Sequence, residues 1–360
     1  MRLYKFLILT AIALNLGLEI GLESFGTKMS AWAEEQNLIA NTPSGFNPAL
    51  KQEPPVTTLT PQPSVPAESV TNDYFVFDNV KINFQNFSDN FGQNNVTIEP
   101  TWQWRFNDGT LLGFQTGYNS FNLEGNPSVR NIPLQLSVVK QFGDVNLTAI
   151  AGLNIFDRLP TTANFEITAA VPVLAGVTVF AFVEQKPYKF NAATLNNQIT
   201  TRRFGPNIYW QIDPNTSLFS LYRWGNYNDG NTEQQSFTRV EHKFGQFAIA
   251  ANLFTWAYAR DVNSTSGYFS PPDFLVYNGE VAWEGDLVDF LRCRLATTLG
   301  EQRLNGAFTP AQSYQVRCTT KISNNIEAEL GYVFSNVRRL ETGDSAYNSS
   351  TISGQLRVKF

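Results

Sequence analysis

Cysteine and histidine are nearly missing from this chain, which has two Cys and one His in 360 residues. That is too little for zinc cages built from His and Cys or for a disulfide-scaffold fold. Charge is scarce as well: Asp, Glu, Lys and Arg make up 16% of the chain, and the net charge is −5. The Lys and Arg residues are scattered singly, so the basic stripe of a nucleic-acid binder is absent and no nucleic-acid partner is expected. Beyond the N-terminus no segment approaches the roughly 18 uncharged apolar residues of a membrane helix, which excludes a helical membrane protein. What is present is 29 Phe, 13 Tyr and 7 Trp beside 24 Gly, within a chain that is 42% hydrophobic. Such a composition belongs to an ordered protein.

The first 33 residues read as an address. Arg2 and Lys5 precede an apolar core from Phe6 to Leu18, and Ala31-Trp32-Ala33 forms an A-x-A cleavage site. The core is too short to span comfortably, and Glu19 and Glu23 follow it closely, so a cleaved secretory signal is expected over 1–33 rather than an anchor. Residues 34–73 carry seven prolines among Gln, Thr, Ser and Glu. They predict an extended, disordered periplasmic linker, which is either a spacer or docking strand or plain disorder without such a role.

From residue 74 onward the pattern has a period of two. In Val96 to Phe106 every even position (Val96, Ile98, Pro100, Trp102, Trp104, Phe106) is nonpolar and every odd one is polar. Successive strand side chains point to opposite faces, so this segment has one oily and one wet face. The alternation returns at Phe204/Pro206/Ile208/Trp210, at Ile326/Ala328/Leu330/Tyr332/Phe334 and at Ile352/Gly354/Leu356/Val358/Phe360. Sixteen strands can be counted between 74 and 360. Tight turns at Asp108-Gly109, Gly143-Asp144, Ala175-Gly176, Pro214-Asn215, Gly245-Gln246, Gly285-Asp286 and Asn324-Asn325 alternate with longer polar loops. A soluble sandwich has no reason for that asymmetry. Bacterial outer-membrane barrels show it, with short turns on the periplasmic side. The expected fold is therefore all-β, a 16-stranded antiparallel transmembrane barrel of the outer membrane, surrounded by lipid and closed because an open edge in hydrocarbon would strand its N–H and C=O groups. The final aromatic, Phe360, resembles the terminal residue of such barrels.

With the oily face to lipid, the opposite face lines a lumen wide enough for an aqueous channel. It would present Glu99, Gln103, Arg105, Arg239, Glu241, Lys243, Arg292, Arg294, Arg317, Lys321, Glu327, Glu329, Arg357 and Lys359. These mixed charges fit either mutual neutralisation between neighbouring strands or a dedicated binding ladder. The strand at 247–259 departs from the rule, because sending Ile249, Ala251 and Leu253 to lipid sends Phe254, Trp256 and Tyr258 inward. They are either water-facing platforms for sugar rings or, in a shifted register, part of the interfacial aromatic girdle.

Cys293 and Cys318 fall on the lipid-facing set of neighbouring strands at similar heights. They form either a cross-strand disulfide made in the oxidising periplasm or two free thiols. His242 alternates with Val240 and Phe244 near a turn and has no Ser/Asn constellation around it. A girdle position suits it better than the catalytic His of a membrane phospholipase, so no catalytic set, no metal site and no cofactor is expected.

One junction is specific: Gly267-Tyr268-Phe269-Ser270-Pro271-Pro272-Asp273-Phe274-Leu275, continuing to Val281-Ala282-Trp283. It resembles the Gly-Tyr-aromatic-Ser-Pro-Gln-x-aromatic-Leu signature of the C-terminal barrel of the bacterial cellulose synthase outer-membrane subunit. The resemblance implies a pore that exports an unbranched exopolysaccharide made at the inner membrane. Two departures stand out. Pro272 replaces the Gln, and no 34-residue helical repeat precedes the barrel, so coupling to a synthase would need a separate periplasmic scaffold. In Gly267 to Pro271 the residues form either a loop-to-strand corner whose aromatics mark the outer interface or a contact with glycan. The alternative function is a general diffusion porin for small solutes, and a third reading is a lumen-plugged barrel that serves adhesion or structure. Porins usually fold a long loop inward, and the longest loops expected here, 188–200 and 260–272, are short for that purpose, which favours export.

Overall fold

The computed structural model describes residues 75–337 and 347–360; the expected signal and linker at 1–33 and 34–73 lie outside them. Alternation of apolar and polar side chains gives strands β1 (Phe75–Asp89), β2 (Gln93–Phe106), β3 (Leu111–Thr116), β4 (Tyr118–Leu123), β5 (Val129–Phe142), β6 (Val145–Phe156), β7 (Thr162–Leu174), β8 (Val177–Pro187) and β9 (Thr200–Asp213). The meander continues through β10 (Thr216–Tyr227), β11 (Thr232–Phe244), β12 (Phe247–Tyr258), β13 (Phe274–Val288), β14 (Leu291–Leu304), β15 (Ala307–Lys321), β16 (Ile326–Ser335) and β17 (Ser349–Lys359). β3 and β4 both pair with β2 and with β5. They are two halves of one stave, broken at Gly117, where a Cβ would stand 2.2 Å from the Ile98 carbonyl oxygen. The sixteen staves close when β1 pairs with both β17 and β2.

Two connections differ from the sequence expectation. Gly285-Asp286 is not a turn: β13 continues to Val288 and the chain reverses at 289–290. Between the strands counted from sequence at 287–301 and 312–323, residues 302–311 form not a longer polar loop but a tight hairpin at Asn305-Gly306, with φ of 48° and 82°. Those two positive values suit an Asn-Gly turn, whose twist matches the flanking strands. Glu301 and Arg303 on the outward face had hidden the alternation there.

The outward face is apolar, with Leu136, Val281, Leu299 and Leu330 all more than half exposed. In water a continuous belt of this kind would drive aggregation, whereas in a bilayer it is the lipid-contacting band. An aromatic girdle rims its short-turn end, where Phe77 packs on Trp104 at 5.6 Å and on Phe360 at 4.8 Å. His242 lies in this belt on the outward face, tilted against Phe244 at 4.6 Å, with Nδ1 2.7 Å from the Thr216 hydroxyl. In the short turn after β2, Asp108 accepts from the Thr110 N–H at 2.9 Å and from Lys140 at 3.1 Å. These bonds, the Thr110 N–H foremost, hold its carboxyl down at about 2.

Cys293 and Cys318 face each other directly across β14 and β15, with Cα atoms 4.1 Å apart, and are joined as a disulfide. Closing a loop with a sequence separation of 25 removes about 3 kcal/mol of unfolded-chain entropy in the loop-closure account. Replacing both with Ala is therefore expected to lower the temperature at which the folded barrel converts to its unfolded band on semi-native gels. An unchanged midpoint would show that the hairpin pairing already supplies the constraint.

Candidate functional site

The lumen has three chemically distinct zones. The first is a charged wall on β11, β13 and β14, where Arg239 donates both terminal nitrogens to Glu280, at 2.7 and 2.9 Å. Arg294 shares the same carboxylate at 2.8 Å, and Arg292 donates to Glu284 at 2.9 Å. Arg239 also reaches Glu241, and farther round the wall Arg317 lies 3.9 Å from Glu329 and Arg357 lies 3.8 Å from Glu327. These inward charges thus face partners within the wall: on the same strand for Arg239 and Glu241, across one stave for Arg239 and Glu280, and on adjacent staves for the others. Of the two arrangements the sequence left open, the one observed is neutralisation within the wall. Arg105 sits at the rim of β2, donating to Asp78 at 2.9 Å.

The second zone is built by two inward-folding loops. Residues 188–199 carry the short helix α1 (Ala192–Asn196), whose N-cap Asn191 accepts from the Thr194 N–H at 2.9 Å. Residues 259–273 carry α2 (Asn263–Ser266), which ends on Gly267 at φ 79°. At Gly267 any Cβ would lie 2.7 Å from that of Ala193, so glycine lets the loops touch. Asn191 Nδ2 and the Thr194 hydroxyl both donate to the Gly267 carbonyl at 2.9 Å. The first loop leaves β8, crosses the lumen and reaches β2, where the Phe190 carbonyl accepts from Gln93 at 2.7 Å and from Asn95 at 2.9 Å. Beside that contact, Ala192 and Leu195 pack on Phe121, Val129 and Phe156.

Beneath these loops lies an aromatic cluster that includes Tyr188, Phe190, Tyr227, Phe254, Trp256, Tyr258, Tyr268, Phe269 and Phe274. Tyr268 stacks on Tyr227 at 4.9 Å and meets Tyr188 edge-on at 5.3 Å. Its hydroxyl donates to Asp229 at 3.0 Å, and burial raises its ionisation well above the ordinary tyrosine value. An ion pair between Arg203 and Glu233 anchors the cluster from below. Arg203 binds Glu233, donates to the Tyr227 hydroxyl at 2.8 Å and lies 4.8 Å from the Tyr188 ring, while Trp256 Nε1 donates to Glu233 at 2.8 Å.

Three sequence expectations change here. Phe254, Trp256 and Tyr258 do point inward, but at 4%, 2% and 4% exposure they are a packed core under the loops and not water-facing platforms. Tyr268 and Phe269 do not mark the outer interface; with Ser270, whose hydroxyl accepts from the Val262 N–H at 2.7 Å, they are buried inside the lumen. Pro271 follows, its carbonyl accepting from the Tyr258 N–H at 2.9 Å. The third change concerns loop length: both loops expected to be too short for a constriction fold inward, because paired aromatics reward crossing the lumen with burial.

The third zone is an amide-rich wall on β2 to β7, with Glu99 and Glu166 among its inward side chains. Asn119 donates to Glu99 at 2.9 Å, Gln115 to Glu99 at 2.8 Å, Asn131 to Asn154 at 3.0 Å and Asn154 to Asn164 at 2.9 Å. Lys189 on the first loop faces Glu99, and burial pulls its ammonium down to about 8 against that attraction. Sequence reading passed over these amides, although each occupies an inward position of its strand; Asn carries no hydropathy signal that separates a lumen from a loop. It also missed Arg203, Glu233, Tyr188 and Tyr227, whose association exists only once β8 to β11 are paired. Among the described residues no group of three metal-ligating side chains occurs.

No protein-family model matches this chain, and no curated protein matches it. Among solved structures, a bacterial polysaccharide outer membrane secretin superposes with a TM-score of 0.66 at 11% identity, covering 79% of this chain and 98% of its own. CdiB from Acinetobacter baumannii superposes at 0.51 with 8% identity, over 80% of this chain and 60% of its own. The fold is that of an outer-membrane β-barrel. At such identities the likeness is one of architecture, and the lumen chemistry described above belongs to this chain.

Proposed function

We propose that this protein is an outer-membrane channel through which a polysaccharide leaves the cell, with residues 188–199 and 259–273 as its constriction. The observation that carries the reading is the inversion of the sheet: an apolar belt outside and a hydrophilic, closed lumen of sixteen staves inside. That arrangement is useful only where water must cross lipid. Polymer export, rather than bulk diffusion, is favoured by the secretin whose whole barrel this chain matches and by the resemblance of Gly267 to Leu275 to the cellulose synthase subunit signature. On this reading residues 1–33 direct export, 34–73 tether the barrel to a separate periplasmic scaffold or inner-membrane synthase, and no enzymatic step is involved. The inward loops favour a second reading, a general diffusion porin, since a constriction of that kind also filters small solutes.

Planar-bilayer recordings of the refolded protein separate the two. Block that lengthens with the number of sugar units in an added oligosaccharide is the result expected of an exporter. A large, steady conductance indifferent to cello-, N-acetylglucosamine- and uronate-oligosaccharides would leave the porin.

A further inference from the structure

One strand breaks the apolar belt. On β6 the outward positions are Leu147, Ala149, Ala151, Leu153 and Ile155, as a lipid-facing stave requires. On β11 the same parity gives Thr232, Gln234, Ser236, Thr238, Val240 and His242, of which Val240 alone is apolar. Polar neighbours stand on both sides of it. The Ser220 and Thr238 hydroxyls are 2.9 Å apart, those of Ser236 and Thr255 are 2.7 Å apart, and the Tyr222 hydroxyl donates to Gln234 Oε1 at 2.9 Å. The outer face of β10 to β12 therefore carries a polar stripe across the belt, from His242 beside Phe244 to Gln234 opposite Trp224. Hydroxyls and an amide turned to acyl chains keep donors and acceptors that lipid cannot bond, which costs free energy. At Gln234, which is exposed, neither N–H of the amide has a partner among the described residues.

We propose that the outer face of β10 to β12 is the contact between two copies of this chain in the membrane, related by a twofold axis along the membrane normal. Every barrel inserts with its short turns on the same side, so such an axis brings equal heights together and sets the stripe against itself. A face that meets itself must be self-complementary. Hydroxyls both donate and accept, and a primary amide pairs two N–H donors with a carbonyl that accepts twice. Gln234 of each copy donates to Oε1 of the other, which the Tyr222 hydroxyl fills only by half. Close approach is open on the β13 side, where Gly279 lies opposite Ala251 and a Cβ built on it would meet nothing within 4 Å. At mid-height β5 to β7 offer a second copy only apolar side chains such as Leu136, Leu153 and Ile167, which lipid tails solvate as well as protein does. The pairing is independent of what crosses the lumen.

The test is disulfide trapping of the refolded protein in phosphatidylcholine vesicles at low protein density. Cys293 and Cys318 are already joined to each other, so Thr238→Cys supplies the free thiol, and Leu136→Cys on β5 serves as the control for random collision. Oxidation with copper-phenanthroline is expected to yield at least fivefold more covalent dimer from Thr238→Cys than from Leu136→Cys. Adding Gln234→Leu and Ser236→Leu to Thr238→Cys is expected to remove that excess while the heat-modifiable folded band remains. If a variant fails to fold, single-molecule photobleaching of the otherwise unmodified protein, labelled at its N-terminus, decides: two-step traces uphold the dimer. Equal trapping at the two positions, trapping undiminished by the leucines, or one-step traces from folded barrels overturns the contact and leaves the stripe facing lipid.

Discussion

Replacing residues 189–198 with an Asn-Gly link is expected to raise the single-channel conductance severalfold. The strand ends tolerate the cut, because the Tyr188 N–H already donates to the Ile199 carbonyl at 2.8 Å, so a two-residue turn closes a pair that exists. What is lost is the crossing itself: the Phe190 carbonyl with its two amide donors, and Ala192 and Leu195 against Phe121, Val129 and Phe156. A sixteen-stave lumen freed of this crossing is wide enough for hydrated solutes. Heat modifiability on gels checks that the shortened protein still folds. An unchanged conductance in the folded variant would mean that the loop does not set the width of the pathway.

Glu233→Leu is expected to be the most damaging single substitution. Arg203, at 5% side-chain exposure, would keep Glu184, at 3.8 Å, as its carboxylate partner, and Trp256 would lose the acceptor of its indole N–H. Leaving one charge of a buried pair uncompensated costs about 3–5 kcal/mol, and the aromatic cluster above it shares that pair. The midpoint of the heat-induced gel shift should fall by roughly 10 °C, on the scaling of stability with melting temperature for domains of this size. Replacing both partners removes the uncompensated charge, so Arg203→Leu/Glu233→Leu should recover most of the loss. Equal loss in the single and double variants would show that the charge itself is not what matters.

The barrel was readable from sequence because its cause is local. Alternation at Val96 to Phe106 assigns each side chain to lipid or lumen before any contact is known, and the inward direction of Phe254, Trp256 and Tyr258 followed from Ile249, Ala251 and Leu253 in the same way. The facing cysteines were legible through the same parity. The lumen interior was not. Whether an inward Trp meets water or another ring depends on what crosses the pore from β8, and that crossing is specified by Tyr188 and Phe190 on one loop together with Gly267 on another, far along the chain. Asn119 and Asn131 gave no signal either, since their bonds to Glu99 and Asn154 form only once the strands that carry them pair.

The most direct test of the account is liposome swelling with the refolded protein, using neutral sugars of increasing size, run in parallel on the unmodified chain and the 189–198 replacement. A gated aqueous lumen predicts slow, size-limited entry for the unmodified chain and faster entry of larger sugars once the loop is gone. No entry in either case, from barrels that remain heat-modifiable, would contradict it and leave a closed structural barrel.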